Sequence, residues 1–410
     1  MQKTPKALRL HIGVFGRRNV GKSSIFNALI HQDVSIVSNV AGTTTDPVEK
    51  AMELQPIGPV VFIDTAGIDD VGALGEMRIE KSKKAINRTD VAILMTDDWQ
   101  SYEEELLRVF TEQQIPTLVV VNKADLGDRD VVVAAALEAG AQRVLQTSAK
   151  TGQGIGQLRR EIIQSAPEDF INSPAIIGDL VEPGDLVVLV TPIDKEAPKG
   201  RLILPQVQTI RDLLDNDAMS MVVKERELAE SLKLLKNDPA MIVTDSQAFL
   251  KVAADTPMHV PMTSFSILFA RFKGDLAEMV RGAVAIDQLK PGSKVLMGET
   301  CSHHPIADDI GRVKIPRWLE QYVGGKLDFT MACGRDYPED VSEFDLIVHC
   351  GACVWNRREM LSRIAASRAV GTPITNYGLT IAYSLGIFER ALDPFPFAKE
   401  IYLEEMAKLG

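Results

Sequence analysis

The stretch GRRNVGKSS, residues 16–24, is the most informative part of this sequence about its fold. Its glycines, lysine and first serine have the G-x-x-x-x-G-K-[ST] spacing of a phosphate-binding loop, and the apolar run LHIGVFG leads directly into it. In such loops the glycine amides surround the β-phosphate, the lysine reaches the β- and γ-phosphates, and the serine hydroxyl ligates Mg²⁺. The loop therefore predicts a buried strand, then a helix N-terminus facing the phosphates, as in a doubly wound α/β domain. The candidate phosphate-side residues are Gly16, Gly21, Lys22, Ser23 and Ser24.

Two further apolar strands end in polar motifs that complete a guanine-nucleotide site. VVFIDTAGI (60–68) brings Asp64 near the Mg²⁺ and the Gly67 amide near the γ-phosphate. PTLVVVNKAD (116–125) ends in Asp125, whose carboxylate can accept hydrogen bonds from both N1–H and N2–H₂ of guanine, a donor pair that adenine lacks. The base-side candidates are Asn122, Lys123, Asp125, Ser148, Ala149 and Lys150. The four motifs in this order resemble the translation-factor-related class of small GTPases over residues 1 to about 167.

The segment before Asp64 resembles the switch I of the bacterial Era and TrmE-like GTPases. In VAGTTTDPVE (40–49) this resemblance implies that Thr44 is the second Mg²⁺ ligand. Ile68 stands where Ras-like proteins carry the glutamine that orients the attacking water. Relatives without that glutamine often use K⁺, held partly by a phosphate-loop asparagine, and Asn19 occupies that position; a loop-stabilising hydrogen bond is its alternative role. The resemblance thus implies slow, K⁺-stimulated GTP hydrolysis. The catalytic candidates are Lys22, Asn19, Thr44 and Gly67.

Composition narrows the class of protein. The chain has 410 residues, of which 45% are apolar and 25% charged, as in a globular protein with two or three domains. Its net charge of −11 argues against nucleic-acid binding, which needs a basic surface. Because no stretch reaches the roughly 18 apolar residues of a membrane span, and no signal peptide is evident, we expect a cytoplasmic protein without membrane contact.

The chain after the first domain repeats an alternation of strands and helices. A turn-rich stretch, residues 165–185, predicts a linker, and a small α/β module follows that carries no convergent acids, histidines or cysteines. We expect this module to form a homodimer. From about residue 264 a third unit begins with a long helical pattern over 266–289. It continues with strands that end near cysteines and with predicted helices over 308–323 and 356–371. The predicted fold is therefore α/β, with a P-loop GTPase domain (1–167), a small dimerisation domain (168–263) and a third α/β domain that carries the cysteines (264–410).

Three of the four cysteines form a spaced pattern, Cys301-x-His303, then 46 residues, then Cys350-x-x-Cys353. Buried thiols are one interpretation. A structural zinc site is another, since three sulfurs and an imidazole suit tetrahedral Zn²⁺. A 4Fe–4S cluster is the third, and three thiolates would leave one iron to a weaker ligand. The candidates for that fourth position are Glu299, His303 and His349.

A GTPase domain, a middle α/β domain and a C-x-H…H-C-x-x-C tail together resemble the HydF family of iron-only (FeFe) hydrogenase maturation GTPases, over essentially the whole chain. The resemblance implies that Cys301, Cys350 and Cys353 hold a 4Fe–4S cluster. It also implies a dimeric scaffold or carrier, which receives a di-iron precursor built with two radical-SAM maturases and delivers it to apo FeFe-hydrogenase. The alternative is a regulatory GTPase with a structural zinc site in a C-terminal interaction module. Cys333, outside the pattern, is expected to be a core thiol.

Overall fold

A computed structural model of the chain describes residues 8–30, 36–40, 48–54, 57–65, 83–167, 175–192, 202–300, 309–334, 336–338 and 340–409. It divides into two compact units, Met1–Ser173 and Pro174–Gly410. Within the described residues, the first unit holds a seven-stranded sheet and the second holds two four-stranded sheets. No described helix is long and apolar enough to cross a membrane.

The first unit is a mostly parallel sheet with helices packed on both faces. Its strands are β1 (Leu10–Phe15), β2 (Ile36–Val40), β3 (Val48–Leu54), β4 (Gly58–Asp64), β5 (Val91–Thr96), β6 (Thr117–Val121) and β7 (Val144–Gln146). Its helices include α1 (Lys22–Ile30), α2 (Ser101–Glu112), α3 (Asp130–Glu138) and α4 (Ile155–Gln164). The strand order is β2-β3-β4-β1-β5-β6-β7, and β2 and β3 form an antiparallel edge. The sheet order reverses at β1, so a ligand crevice lies at the carboxyl end of that strand.

Burial explains why the first-unit strands read as continuous apolar runs. Every residue of β1 and of β5 is buried, as expected for parallel strands that are covered on both faces. On one face Ile12 packs in a cluster with Phe26 of α1, and on the other Phe15 packs against Phe110 of α2 with ring centroids 4.9 Å apart. The two clusters hold β1 rigidly, and the phosphate loop begins where β1 ends.

The first sheet of the second unit is entirely parallel. Its strands are β8 (Leu186–Val190), β9 (Met219–Val223), β10 (Met241–Thr244) and β11 (Met262–Ser264), in the order β11-β10-β8-β9. The helices along this part of the chain are α5 (Leu204–Asp215), α6 (Leu228–Lys233) and α7 (Phe249–Asp255). β8 and β10 are almost wholly buried, whereas β9 lies at an edge and is partly exposed.

The second sheet of this unit is also parallel, in the order β13-β12-β14-β15. Its strands are β12 (Lys294–Glu299), β13 (Asp328–Cys333), β14 (Leu346–His349) and β15 (Ile374–Asn376). The accompanying helices are α8 (Phe265–Lys273), α9 (Leu276–Val284), α10 (Ile315–Val323), α11 (Arg357–Val370), α12 (Tyr377–Ser384), α13 (Phe388–Ala391) and α14 (Pro396–Leu409). Chain order reverses at β12, which lies between β13 and β14. The carboxyl end of β12 is therefore the place where such a sheet binds a ligand.

Two predicted helices differ from the structure. The pattern over 266–289 is two helices, α8 and α9, because the backbone at Gly274 leaves the helical region and Asp275 caps α9 by accepting from the Glu278 amide. The predicted helix over 308–323 starts with a π-helical turn, Ile310–Lys314, before α10. The α/β fold class, with a P-loop domain followed by further α/β sheets, is confirmed. The boundary at residues 263 and 264 stays a prediction, since both smaller sheets lie in one compact unit.

Candidate functional site

The phosphate loop takes a backbone path that only its glycines permit. Gly16 has φ +138°, and a Cβ there would lie 2.2 Å from the Met95 carbonyl oxygen. Gly21 has φ +100°, and a Cβ there would lie 2.2 Å from Nδ2 of Asn122. Asn19 also adopts a left-handed conformation, with φ +64°. The loop is thus held close to the ends of β5 and β6, which is the close backbone approach that phosphate binding requires.

Lys22 is buried at the start of α1, with its ammonium turned onto the loop. Its Nζ donates to the carbonyl oxygen of Gly16 and to that of Arg17, the latter at 2.9 Å. Ser23 and Ser24, in the first turn of α1, are exposed. The lysine charge and the helix N-terminus therefore lie at one loop, and the two serines follow in the first helical turn, an arrangement that favours a polyphosphate.

Asp64 brings a carboxylate to the same sheet edge. It ends β4 and lies in register with Val14 of β1, and the next residue, Thr65, donates its hydroxyl to the Val14 carbonyl at 2.7 Å. A hard oxygen ligand beside a phosphate loop suits Mg²⁺. Thr44 and Gly67, the other switch candidates, lie outside the described residues.

The base-side residues are tied to the phosphate loop. Asn122, which follows β6 and is 3% exposed, donates from Nδ2 to the Val20 carbonyl at 2.8 Å and accepts from the Thr147 hydroxyl at 3.3 Å. Lys123 has φ +62° and pairs with Asp97 at 2.6 Å. One buried amide side chain therefore links three loops of the nucleotide site.

Asp125 is held as an ionised acceptor. The Ser148 hydroxyl donates to its Oδ1 at 2.7 Å, and this hydrogen bond is the main cause that lowers the pKa of Asp125. Ser148 is itself fixed, since its amide donates to the Gln153 carbonyl at 3.0 Å. Ala149 and Lys150 continue the same turn. The structure thus brings the described base-side candidates together at the ends of β6 and β7.

An ion-pair cluster under the nucleotide loops was not found by sequence reasoning. Arg17 of the phosphate loop pairs through Nε with the Glu103 carboxylate at 2.8 Å, although Glu103 on α2 is fully buried. Burial raises the pKa of Glu103, and Arg17 opposes that shift. Asp97, 4.0 Å from Arg17, also binds Lys123, so the two nucleotide loops share one carboxylate. Glu103 lies in an ordinary polar helix pattern, which gives no signal of this role.

The second site lies at the carboxyl end of β12, where Cys350 is anchored. The Cys350 amide donates to the Gly298 carbonyl at 2.8 Å, and its sulfur lies 3.3 Å from the Thr300 amide and 3.2 Å from the Thr300 hydroxyl. The side chains of Cys350 and Cys353 are both partly exposed. Cys301 and His303, the other half of the pattern, lie outside the described residues.

Glu299 ends β12 and is 2% exposed. Its Oε2 accepts from the Cys333 thiol at 3.3 Å and lies 3.5 Å from the Arg312 guanidinium, while its Oε1 accepts from the Tyr377 hydroxyl at 3.3 Å. Burial and the Glu299 carboxylate raise the pKa of Cys333. Cys333, expected to be a core thiol, is therefore a half-buried thiol in a polar cluster at the same sheet edge.

His349 ends β14 and is wholly buried. Its Nε2 lies 2.8 Å from a guanidinium nitrogen of Arg363, and its Nδ1 lies 2.7 Å from the Cys350 carbonyl oxygen. Because an arginine only donates, Nε2 is the acceptor and the Nδ1–H donates to the carbonyl. Burial, followed by the Arg363 charge, lowers the pKa of His349 to about 3. The imidazole is therefore neutral.

Among the residues that the structure describes, no group of three or more His, Cys, Asp or Glu side chains is arranged to hold a metal ion. Cys350 and Cys353 supply two soft sulfur donors, and Cys301, which follows Thr300, is outside the described ranges. Thiols at the end of one sheet suit zinc or an iron–sulfur cluster.

Comparisons with known proteins cover both units. The chain matches the models of the hydrogen maturase F dimerization domain over residues 176–274 and of the hydrogen maturase F tetramerization domain over 277–394. Residues 11–123 match a model described as 50S ribosome-binding GTPase.

Individual relatives cover the first unit. The tRNA modification GTPase MnmE of Aquifex aeolicus is 37% identical over 167 residues, which are 40% of this chain and 36% of that protein. GTPase Der of Wolinella succinogenes is 35% identical over 136 residues, 32% of this chain and 28% of that protein. The chain thus spans about a third of the length of such relatives. Among solved structures, Era of Aquifex aeolicus has 21% identity and a TM-score of 0.31 over 55% of this chain and 98% of that one. The G domain of the T. maritima FeoB iron transporter has 22% identity and a TM-score of 0.30 over 39% of this chain and 99% of that one.

Proposed function

The chain belongs to the hydrogen maturase F family, and from that premise we propose that it is a GTP-hydrolysing scaffold or carrier for metallocluster assembly. In this proposal it binds a 4Fe–4S cluster, works with two radical-SAM maturases, and assembles or delivers the di-iron precursor to apo FeFe-hydrogenase. The observation that carries the proposal is the pairing, in one chain, of a guanine-nucleotide loop with two cysteines at the switch point of a parallel sheet.

The nucleotide site supports GTP hydrolysis by positioning and charge. The backbone at Gly16 and Gly21 would surround the phosphates, and Lys22 would offset their charge. Ser23, Thr44 and Asp64 would hold Mg²⁺, which neutralises charge that develops on the phosphates. The phosphate-loop Gly amides and the Gly67 amide would donate to the transferred phosphoryl group.

Selection of guanine rests on Asp125. Its carboxylate is already oriented by Ser148 and is ionised, so it would accept from the guanine N1–H and N2–H₂ without first reorganising. Asn122, Lys123, Ala149 and Lys150 would line the rest of the base pocket. An adenine base offers no such pair of donors, which is why we assign GTP and not ATP as the nucleotide.

Potassium is proposed as the second cation of the hydrolysis site. Asn19 has the left-handed backbone of an exposed loop residue, and its side chain would be a K⁺ ligand. A monovalent cation there would take the place of the charge that other GTPases receive from an arginine. In this chain the phosphate-loop Arg17 is committed to Glu103 at 2.8 Å, which supports a different source of that charge.

The cluster would be held by Cys301, Cys350 and Cys353. When bound, it would supply an iron with one exchangeable position, to which an incoming ligand can attach. The Thr300 amide 3.3 Å from the Cys350 sulfur fits a thiolate that accepts hydrogen bonds. For the fourth iron position the chain offers Glu299, His303 and His349.

The homodimer is proposed to form through strand β9. This strand pairs with β8 on one side, and it lies at the edge of its sheet in the described part of the chain. Met219 and Val222 on β9 are 54% and 43% exposed, and Leu214 of the adjacent helix α5 is 57% exposed. An apolar edge strand of this kind pairs readily with a second copy. Sedimentation velocity should therefore show that Val222→Lys favours the monomer, whereas an unchanged dimer would reject this edge as the interface.

The test of the proposed function compares two cysteine variants in anaerobically prepared protein. Cys350→Ala should lose the cluster and keep nearly all of its GTP hydrolysis, because the two sites lie in separate compact units. Cys333→Ala, the matched control from the same sheet edge, should keep both. Loss of GTP hydrolysis in Cys350→Ala, or loss of the cluster in Cys333→Ala, would contradict the proposal.

A further inference from the structure

A buried arginine lies at the centre of the sheet edge that carries the thiols. Arg363 of α11 is 8% exposed, and its guanidinium is stacked between two rings, 3.8 Å from the Tyr337 centroid and 4.0 Å from the Trp355 centroid. It also donates to the Gly334 carbonyl at 2.9 Å and to His349 Nε2 at 2.8 Å. Burying a guanidinium costs free energy, and here two cation–π contacts and two charge-assisted hydrogen bonds offset that cost. Such a complete set of partners indicates that the arginine has a role at this edge.

The partners of Arg363 come from separate segments of that edge. Gly334 and Tyr337 belong to the connection after β13, His349 ends β14, and Trp355 belongs to the cysteine loop, residues 350–356. Within the cysteine loop, Ala352 has φ +49°, a left-handed conformation that an alanine adopts only when its surroundings impose it. Arg363 therefore ties the cysteine loop to the strand ends on either side of it.

His349 has its two ring nitrogens engaged in the same arrangement. A neutral imidazole has one lone pair for a metal or a donor, and here that lone pair, on Nε2, faces the Arg363 guanidinium. The other nitrogen donates to the Cys350 carbonyl at 2.7 Å, so the ring fastens the first residue of the cysteine loop to Arg363. Binding iron would require His349 to give up one of these two bonds.

We propose that Arg363 is a positioning residue that clamps the cysteine loop, and that His349 serves this clamp and does not bind the iron of the cluster. The proposal rests on the proposed function for the identity of the metal site, but the clamp itself is a property of the chain without metal. It narrows the fourth iron position to Glu299, His303 or a ligand from outside the chain.

The clamp is tested first in metal-free protein, by the rate at which iodoacetamide alkylates Cys350 and Cys353 under reducing conditions. Arg363→Gln should raise the rates about tenfold or more, because it removes the two cation–π contacts and the charge of the two hydrogen bonds that hold the loop closed. Arg363→Lys keeps the charge but loses the planar stack, so its alkylation rates should lie between those of wild type and Arg363→Gln. The matched control is Arg368→Gln on the same helix, whose side chain is exposed and pairs with Glu278 at 2.9 Å. The control should leave the rates within about twofold of wild type, and Arg363→Gln rates equally close to wild type would overturn the clamp.

A second pair of variants covers the case in which Arg363→Gln does not fold. Trp355→Phe keeps an aromatic ring beneath the guanidinium, so its cysteines should be alkylated as slowly as those of wild type. Trp355→Leu removes the ring, so its cysteines should be alkylated faster. Rescue by the aromatic residue separates the stack from a general effect of side-chain size. Equal rates in the two Trp355 variants would also overturn the clamp.

The role of His349 is tested with iron present, by pulsed EPR of the reduced protein carrying ¹⁵N-labelled histidine. His349→Gln can still accept from Arg363 through its amide oxygen, so it should keep its iron content and the wild-type nitrogen couplings. Loss of a nitrogen coupling in this variant would show that His349 binds iron and would overturn that part of the proposal. If wild-type protein bound no iron–sulfur cluster, the proposed function would fail, while the alkylation rates would still decide the clamp.

Discussion

Asn122→Ala tests how far the nucleotide site depends on a single buried amide. Asn122 is 3% exposed and holds the phosphate loop through the Val20 carbonyl at 2.8 Å and the β7 end through the Thr147 hydroxyl at 3.3 Å. Leaving the carbonyl without its partner costs about 1–3 kcal/mol, and losing the longer bond costs about 0.5–1.5 kcal/mol. The middle values of these two costs add to about 3 kcal/mol. That free energy corresponds to about a hundredfold change in the equilibrium between an ordered and a disordered phosphate loop.

The expected result is a loss of nucleotide affinity of up to about a hundredfold. The loss should be the same for GTP and GDP, because the Asn122 side chain holds the loop backbone and not the γ-phosphate. Titration with fluorescent analogues of the two nucleotides, at fixed free Mg²⁺, measures both affinities. Asn27→Ala, at an exposed position of α1, is the control and should bind like wild type.

Asn122→Asp sharpens the test, since it keeps the side-chain volume but has no N–H for Val20. A carboxylate facing a carbonyl oxygen should weaken binding at least as much as alanine does. Wild-type affinity in Asn122→Asp, or a loss of affinity confined to GTP, would show that the Asn122 amide does not hold the phosphate loop.

Asp125→Asn should lower GTP affinity about 10- to 100-fold, the value of a charge-assisted hydrogen bond, and should favour xanthosine triphosphate in competitive titration. GTP hydrolysis should be faster in K⁺ than in Na⁺ at equal ionic strength, and equal rates would remove the K⁺ assignment of Asn19. Burial raises the pKa of Glu103 above 4.5, so this carboxyl stabilises the fold below that pH and loses the contribution as pH rises through its folded value. Hydrogen exchange of β1 peptides should show wild type losing protection relative to Glu103→Gln as the pH rises above 4.5. Gly282→Ala should lower the thermal midpoint, at a cost of about 1–3 kcal/mol, since its methyl would meet the Ile374 carbonyl oxygen at 1.9 Å.

The sequence alone predicted the strands and motifs that depend only on residues close together in the chain. Parallel strands that are buried on both faces read as continuous apolar runs, so β1, β4 and β6 were found together with the motifs that follow them. Asp64 and Asn122 lie at strand ends because the motif spacing is fixed relative to those runs. The same reasoning located Cys350 directly after β14.

Contacts between residues far apart in the sequence could not be predicted from it. Arg363 occupies an unremarkable position in a predicted helix, and its partners at 334, 337, 349 and 355 share no helical or strand period with it. The Arg17–Glu103 pair is of the same kind, because only the packing of α2 against the sheet brings them together. The helix break at Gly274 was missed because the apolar spacing continues unchanged on both sides of it.

Iron and acid-labile sulfide analysis of the anaerobically purified protein, with EPR of the dithionite-reduced sample, distinguishes a cluster-binding scaffold from a GTPase with a zinc site. The proposal predicts about four iron and about four sulfide per chain and the EPR signal of a reduced 4Fe–4S cluster. A colourless protein with about one zinc per chain and no sulfide would contradict it and favour a GTPase with a structural metal site.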